Sequence, residues 1–484
     1  MPVDLAQSLI SAASLSTRHL DSVNERPVWQ PVPEPDRAWL TGQDLPDAGR
    51  SIDQLLADIE RYVLPFPMGN GHPAFFGWVN SAPSAAGVAV SALASALNPS
   101  CAGGDHAGAL LERTVLRWLA DLVGFPHVPG GGLLTSGASV ATIVAMVAAR
   151  QRATRRLGFD VREEGLFASP PLVVHMSGEG HSCLRKAVEL AGIGNRQIHL
   201  IPVDEQFRMR PTDLRETISR DIAGGLTPMA IAGSAGTVNS GAIDDLDALA
   251  DIAEEFGIWF HVDGAYGALG ATATHQHPLL AGLARADTVV LDPHKWLGVP
   301  VDCGCVLLKE PAIARDAFSL VPAYLRDDDS GDLGWFSEYG PEQTRPFRAL
   351  KVWATLANLG RQGVTALVDR TIALAQEFAG RISARNDMTL IGQSLSIVAF
   401  RYEPEGCDAA TIDRLNAALP VAIQRRGRTF ITGTSLAGRP AMRVCILHPD
   451  SDESHLDLLV SEIEAAGGAL VQDQWMQDDG KSGS

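Results

Sequence analysis

Cysteine is scarce in this chain: six residues in 484, at positions 101, 183, 303, 305, 407 and 445. A disulfide framework needs more and closer pairs, so the pattern excludes a small cystine-stapled fold and fits a reducing compartment. Zinc-type spacing is missing as well. The one close pair, Cys303 and Cys305, lies in Cys-Gly-Cys-Val-Leu-Leu, where strand alternation puts both thiols on one face as core residues. No second Cys or His pair completes a ligand set, so no metal is expected. Positive charge is in deficit: 39 Lys and Arg against 57 Asp and Glu give a formal charge of −18. Such a surface repels phosphate backbones and anionic bilayers, so neither nucleic acid nor membrane is expected as a partner. No run of about 18 apolar residues occurs that could cross a bilayer. The opening Met-Pro-Val-Asp-Leu-Ala-Gln carries no basic leader region. A cytoplasmic protein is the expectation.

What is present suits a globular α/β protein: 46% hydrophobic residues, 20% charged residues and 47 glycines. A chain of 484 residues exceeds one ordinary compact unit, which predicts two packed domains with terminal additions. Residues 1–70 read as an N-terminal arm, because the prolines of Pro27-Val-Trp-Gln-Pro-Val-Pro-Glu-Pro35 forbid one continuous helix. Residues 71–355 read as a large domain and 356–470 as a smaller α+β domain, with a disordered tail at 471–484. Short apolar runs at Leu172–His175, Met229–Gly233, Ile258–Asp263, Thr288–Leu291 and Gly304–Leu308 alternate with helical periodicity at Leu110–Val123, Val140–Arg150, Cys183–Leu190 and Leu246–Phe256. That alternation predicts a mostly parallel sheet covered by helices. After Leu325 the run Arg-Asp-Asp-Asp-Ser-Gly-Asp is too polar to bury and reads as a loop. A helix from about Arg345 to Leu359 then leads to strands at Ile397–Tyr402 and Met442–Ile446.

Two positions carry the chemical signal. Asp263 ends an apolar strand in Trp259-Phe-His-Val-Asp-Gly-Ala-Tyr-Gly267, where open α/β sheets bind ligands, and Lys295 follows 32 residues later in Leu291-Asp-Pro-His-Lys-Trp-Leu297. Taken alone, Asp263 could be a turn cap and Lys295 a lysine extending from a strand end. Together they match what pyridoxal phosphate requires, an amine to form a Schiff base and an acid to keep the pyridine nitrogen protonated. The small residues of Leu134-Thr-Ser-Gly-Ala-Ser-Val-Ala-Thr-Ile143 lead into a helix whose first N–H groups could hold the phosphate. Gly264, Gly267 and Gly270 follow the same strand, but G-x-x-G-x-x-G is not the dinucleotide fingerprint, which argues against a dehydrogenase.

Eight ordered motifs resemble the group II pyridoxal phosphate-dependent amino acid decarboxylases, which act on aromatic amino acids, glutamate, histidine or cysteine sulfinate. They are Gly71-His-Pro-Ala-Phe-Phe76, Thr135-Ser-Gly-Ala-Ser-Val-Ala-Thr142, His181-Ser-Cys-Leu-Arg-Lys-Ala187, Gly236-Thr-Val-Asn-Ser-Gly-Ala-Ile-Asp244, the two stretches above, Pro322-Ala-Tyr-Leu325 and Thr344-Arg-Pro-Phe-Arg-Ala-Leu-Lys-Val-Trp353. The resemblance implies fold type I, a homodimer with active sites at the subunit interface, and removal of the α-carboxylate of an L-amino acid. It also implies residue roles. Lys295 carries the cofactor, Asp263 faces the pyridine nitrogen, and His181 stacks on the ring. Ala138 and Ser139 meet the phosphate, Thr237, Ala265 and His294 line the cofactor, and Tyr324 returns a proton to the substrate carbon. Ser81, Trp78 and Arg443 fall at substrate positions, and Asn98-Pro-Ser-Cys-Ala102 is the segment that would reach a neighbouring subunit. Asp292 departs from the asparagine of several relatives, placing an acid where the phosphate is expected. An aromatic substrate is favoured; an acidic one such as glutamate or aspartate, or an aminotransferase or lyase reaction on the same fold, is the alternative.

Overall fold

The computed structural model describes residues 5–167, 169–275, 278–320 and 333–479, with side chains to residue 472. Tyr324, the charged stretch 326–332 and the last five residues of the expected tail lie outside the described residues. The chain divides into two compact units, one of residues up to Ala82 with Leu374–Ile391 and 398 onward, the other of Pro83–Ala373 with Gly392–Ile397.

The first unit begins with helices α1 (Leu5–Asp21), α2 (Glu34–Thr41) and α3 (Ile52–Asp58), the last closed by a reciprocal cap between Ser51 and Gln54. In the second unit, α4 (Ala85–Leu97) and α5 (Ala107–Val123) precede β1 (Gly132–Thr135) and α6 (Ala138–Arg156). Then come α7 (Val161–Glu164), β2 (Leu172–Ser177), α8 (Ser182–Leu190), β3 (Ile198–Ile201), α9 (Pro211–Ala223), β4 (Thr227–Ser234) and α10 (Leu246–Phe256). The run closes with β5 (Trp259–Asp263), β6 (Thr288–Leu291), β7 (Gly304–Leu308), α11 (Pro311–Phe318) and α12 (Arg348–Ser383), whose residues from Leu374 on belong to the first unit. Every expected strand and helix is present. The helix expected to stop near Leu359 resumes after Gly360, whose φ of 63° and ψ of 172° break the helical path.

The seven strands order as β1-β7-β6-β5-β4-β2-β3. Six run in one direction, and β7 between β1 and β6 is antiparallel to both. Two antiparallel steps restore direction, so the end of β1 at Thr135 emerges on the same edge as Ser234, Asp263 and Leu291, the ends of β4, β5 and β6. The central strands β2 and β6 are buried along their length and β4 from Met229 on, as helices on both faces require.

The smaller sheet has four strands, β10 (Thr432–Leu436), β11 (Arg439–Cys445), β9 (Ile397–Tyr402) and β8 (Met388–Ser394) in spatial order; apart from Gly392–Ile397 it belongs to the first unit, with α13 (Ala409–Arg426) and α14 (Glu453–Asp479). Its core joins Phe378, Phe400, Ile423, Val444 and Ile463 to Val28 and Phe76 from the N-terminal segment. This is the mostly parallel large sheet and separate smaller sheet of a fold type I enzyme.

Candidate active site

The aligned ends of β1, β4, β5 and β6 bring one set of polar side chains together. Asp263 closes β5, and its Oδ1 accepts the Ala265 backbone N–H at 3.2 Å, a tight turn favoured by Gly264 between them. The Ala265 carbonyl in turn accepts from the Asp292 N–H at 3.1 Å, linking the turns that follow β5 and β6. Asp292, almost fully buried, bridges two candidate cofactor groups. Its Oδ1 accepts the Ala138 N–H at 2.7 Å, in the first turn of α6, and its Oδ2 lies 3.1 Å from Lys295 Nζ. The acid that departs from the family pattern therefore faces the helix N-terminus directly, offset by the ammonium three residues on.

His181 caps α8 by accepting the Cys183 N–H on Nδ1 at 3.2 Å. The Cys183 thiol then donates to Asp263 Oδ2 at 3.8 Å. Burial holds the His181 imidazole below its ordinary value, against the upward pull of the Asp263 and Asp292 carboxylates; Lys295 adds to the lowering. Burial and the Asp263 charge push the Cys183 thiol up to about 12, so it stays protonated at neutral pH. Cys183 was not singled out from the sequence; its only signal was its place two residues after His181, at the helix start. Cys303 and Cys305 are both buried, and burial raises both thiols.

The other expected positions divide by unit. Ser139 stands exposed in the first turn of α6. His294 accepts the Cys303 N–H on Nδ1 at 3.2 Å, with Nε2 3.7 Å from Asp292 Oδ2. Thr237 lies on the loop after β4, and its hydroxyl is held within its own turn by Ser240 at 2.9 Å and by the Ala242 N–H at 3.1 Å. Ser81, Trp78 and Arg443 belong to the first unit. There Ser81 donates to the Leu447 carbonyl at 3.2 Å, Trp78 packs on Phe75 and Phe430, and Arg443 donates to Thr432 at 3.2 Å.

The donor set fits pyridoxal phosphate. Lys295 supplies the amine and Asp263 the acid, and the opening turn of α6 offers backbone N–H groups beside a glycine. Gly137 borders His294 and Asp292: a Cβ there would stand 3.5 Å from the first and 3.9 Å from the second. Such a set on this sheet defines the class of lysine-bearing pyridoxal phosphate enzymes.

Comparison with known proteins narrows the class. Residues 33–403 match the pyridoxal-dependent decarboxylase conserved domain. The chain is 30% identical over 469 residues to an aromatic-L-amino-acid decarboxylase from Bacillus atrophaeus, covering 96% of this chain and 95% of that protein. It is also 30% identical over 432 residues to a phenylacetaldehyde synthase from Arabidopsis thaliana, covering 86% of both. Its fold matches Oryza sativa TDC, solved with PLP and tryptamine, with a TM-score of 0.90 and 25% identity over 97% of this chain and 99% of that one. The chain belongs to the pyridoxal-dependent decarboxylase family. It is a pyridoxal phosphate-dependent carboxy-lyase acting on an amino acid.

Proposed function

We propose that this enzyme decarboxylates an aromatic L-amino acid to its amine, with Lys295, Asp263, His181 and Tyr324 as its catalytic residues. The observation that carries the reading is the meeting of Lys295, Asp292 and the α6 N-terminus at the edge where Asp263 and His181 also converge. The names of the relatives, an aromatic-L-amino-acid decarboxylase among them, support the aromatic substrate. The cofactor, when bound, supplies the electron sink that accepts the bonding pair released with carbon dioxide.

The residues divide the remaining work. Lys295 Nζ is the amine that would hold the cofactor. Asp263 would keep a proton on the pyridine nitrogen, and its hydrogen bonds from Ala265 and Cys183 hold the carboxylate in place. Ala138, Ser139 and His294 would hold the cofactor's phosphate, and Thr237 and Ala265 would hold its ring. His181, kept neutral by burial, orients the substrate so that its carboxylate bond is the one cleaved. Tyr324 returns a proton to Cα. Ser81, Trp78 and Arg443 contact the substrate side chain. The active unit is a cytoplasmic homodimer with the site at the subunit interface and Asn98–Ala102 contributed across it.

A second reading has support in the 30% identity to a phenylacetaldehyde synthase. Incubation with a panel of aromatic and acidic L-amino acids separates the two. Amine and carbon dioxide in equal amounts, without hydrogen peroxide, are expected from an aromatic substrate; aldehyde with stoichiometric peroxide would overturn plain decarboxylation. Turnover confined to glutamate or aspartate would overturn the aromatic assignment.

A further inference from the structure

At the far edge of the large sheet a second polar cluster stands apart from the residues above. His175 on β2 and His199 on β3 are register partners, so their side chains leave the same face of the sheet side by side. Asp221 of α9 meets both with one oxygen: Oδ2 lies 2.8 Å from His175 Nε2 and 2.7 Å from His199 Nδ1. The two rings stand 5.7 Å apart at 87°, and the three potential ligand atoms fall within 4.8 Å of one another.

We propose that His175, His199 and Asp221 form a binding site for one zinc-class divalent cation. Three features support it. Asp221 lies in the last turn of α9, where the helix dipole is negative and a cation is favoured over a carboxylate. His175 is fully buried, and if its Nε2–H served Asp221 the Nδ1 lone pair would be left without a donor in a dry interior. With Nε2 bound to a cation, the ring proton moves to Nδ1, toward the Ala230 backbone of β4, the arrangement metal-bound imidazoles favour. His199, a quarter exposed, gives a route in from solvent and room for a water as fourth ligand.

The chemistry of the set is two imidazoles and a carboxylate, which suits zinc or cobalt rather than calcium or magnesium. Bond lengths of about 2.0–2.2 Å in a tetrahedron place ligand atoms roughly 3.3 Å apart, so the Asp221 carboxylate must withdraw by about half an ångström. The ion would tie the edge strand β3 to β2 and α9 and raise stability by mass action. Because its three ligands come from separate elements 24 and 22 residues apart, no local motif announces them.

The test uses the full chain loaded with pyridoxal phosphate, incubated with Zn2+, desalted and analysed for metal content. One zinc per chain is expected, with affinity at least about tenfold weaker in His199→Gln and in Asp221→Asn. A rise in melting temperature with Zn2+ should appear in the parent protein and vanish in both variants. Co2+ added to the unmutated protein gives a readout independent of variant folding: d–d absorption of tetrahedral intensity, displaced by Zn2+. No retained zinc and no cobalt spectrum would overturn the proposal. Retention undiminished in both variants would do the same, since the ion would then lie elsewhere.

Discussion

Two buried carboxylates flank β1 and look alike at first: each accepts a backbone N–H and each is paired with a cation. Glu112 accepts the Leu134 N–H at 2.9 Å and meets Arg345, while Asp292 accepts the Ala138 N–H at 2.7 Å and meets Lys295. The difference lies in the cation. Arg345 grips Glu112 through both nitrogens, at 3.1 and 2.5 Å, and also donates to the Cys101 and Leu134 carbonyls; both partners are only 1% exposed. Lys295 meets Asp292 at a single 3.1 Å contact among the described residues, and its side chain is 22% exposed. A planar, permanently charged fork suits a pair that never opens; a single-point amine on a flexible stem suits one that must let go. The same motif thus serves architecture in one case and chemistry in the other.

Breaking each cation in turn should separate the two most sharply. Lys295→Ala is expected to lower kcat/KM by at least about 1,000-fold and to abolish borohydride-fixed labelling by the cofactor, while the cofactor-free protein loses less stability than the Arg345 variant, since the Ala138 N–H still serves Asp292 and solvent reaches the 22%-exposed lysine position. Labelling at another lysine would sink the assignment. Arg345→Leu should do the opposite. It strands the Glu112 charge in the interior, which costs about 3–5 kcal/mol, measured by urea unfolding, and correctly folded protein that survives should still load cofactor. An Arg345→Leu protein of unchanged stability would show that the two pairs do not differ as argued.

Asp292→Asn sharpens the comparison at the other carboxylate. If the Asp292–Lys295 pair is built for release, losing the charge should move stability by no more than about 1 kcal/mol, because asparagine can still accept the Ala138 N–H and the partly exposed Lys295 keeps some hydration. Pyridoxal phosphate affinity, followed by the absorbance of the bound cofactor, should rise about tenfold once the acid no longer faces the phosphate side. A large loss of stability with unchanged affinity would place Asp292 with Glu112, as a structural residue.

The same contrast between interior and edge decides what could be read from the sequence. All seven strands expected from apolar runs, β2, β4, β5, β6, β7, β9 and β11, are interior strands of their sheets. The four not foreseen, β1, β3, β8 and β10, are the edges. An edge strand has one neighbour and can be short, as Gly132-Leu-Leu-Thr135 is, or polar, as Thr432-Gly-Thr-Ser-Leu436 is, so its pattern does not rise above that of a loop. At the candidate site, Lys295 and Asp263 were legible because a charge at the end of an apolar run is conspicuous. The bond from Ala138 to Asp292 was not, since it joins residues 154 apart through a backbone N–H that carries no sequence signal.

The smallest expected effect concerns His181, which shares the mouth with Asp292 and Lys295. Burial favours the neutral ring in the folded enzyme, so its pKa lies below 6.5 and the unfolded chain binds the extra proton first as pH falls. Stability from this group is therefore full above 6.5 and declines beneath it. If the neutral ring orients substrate, the acid limb of kcat/KM should lie below pH 6.5 and should shift or vanish in His181→Gln, with only a few-fold change in KM. An acid limb left in place by that variant would assign the titration to another group, and His181 would then act at the site by packing alone.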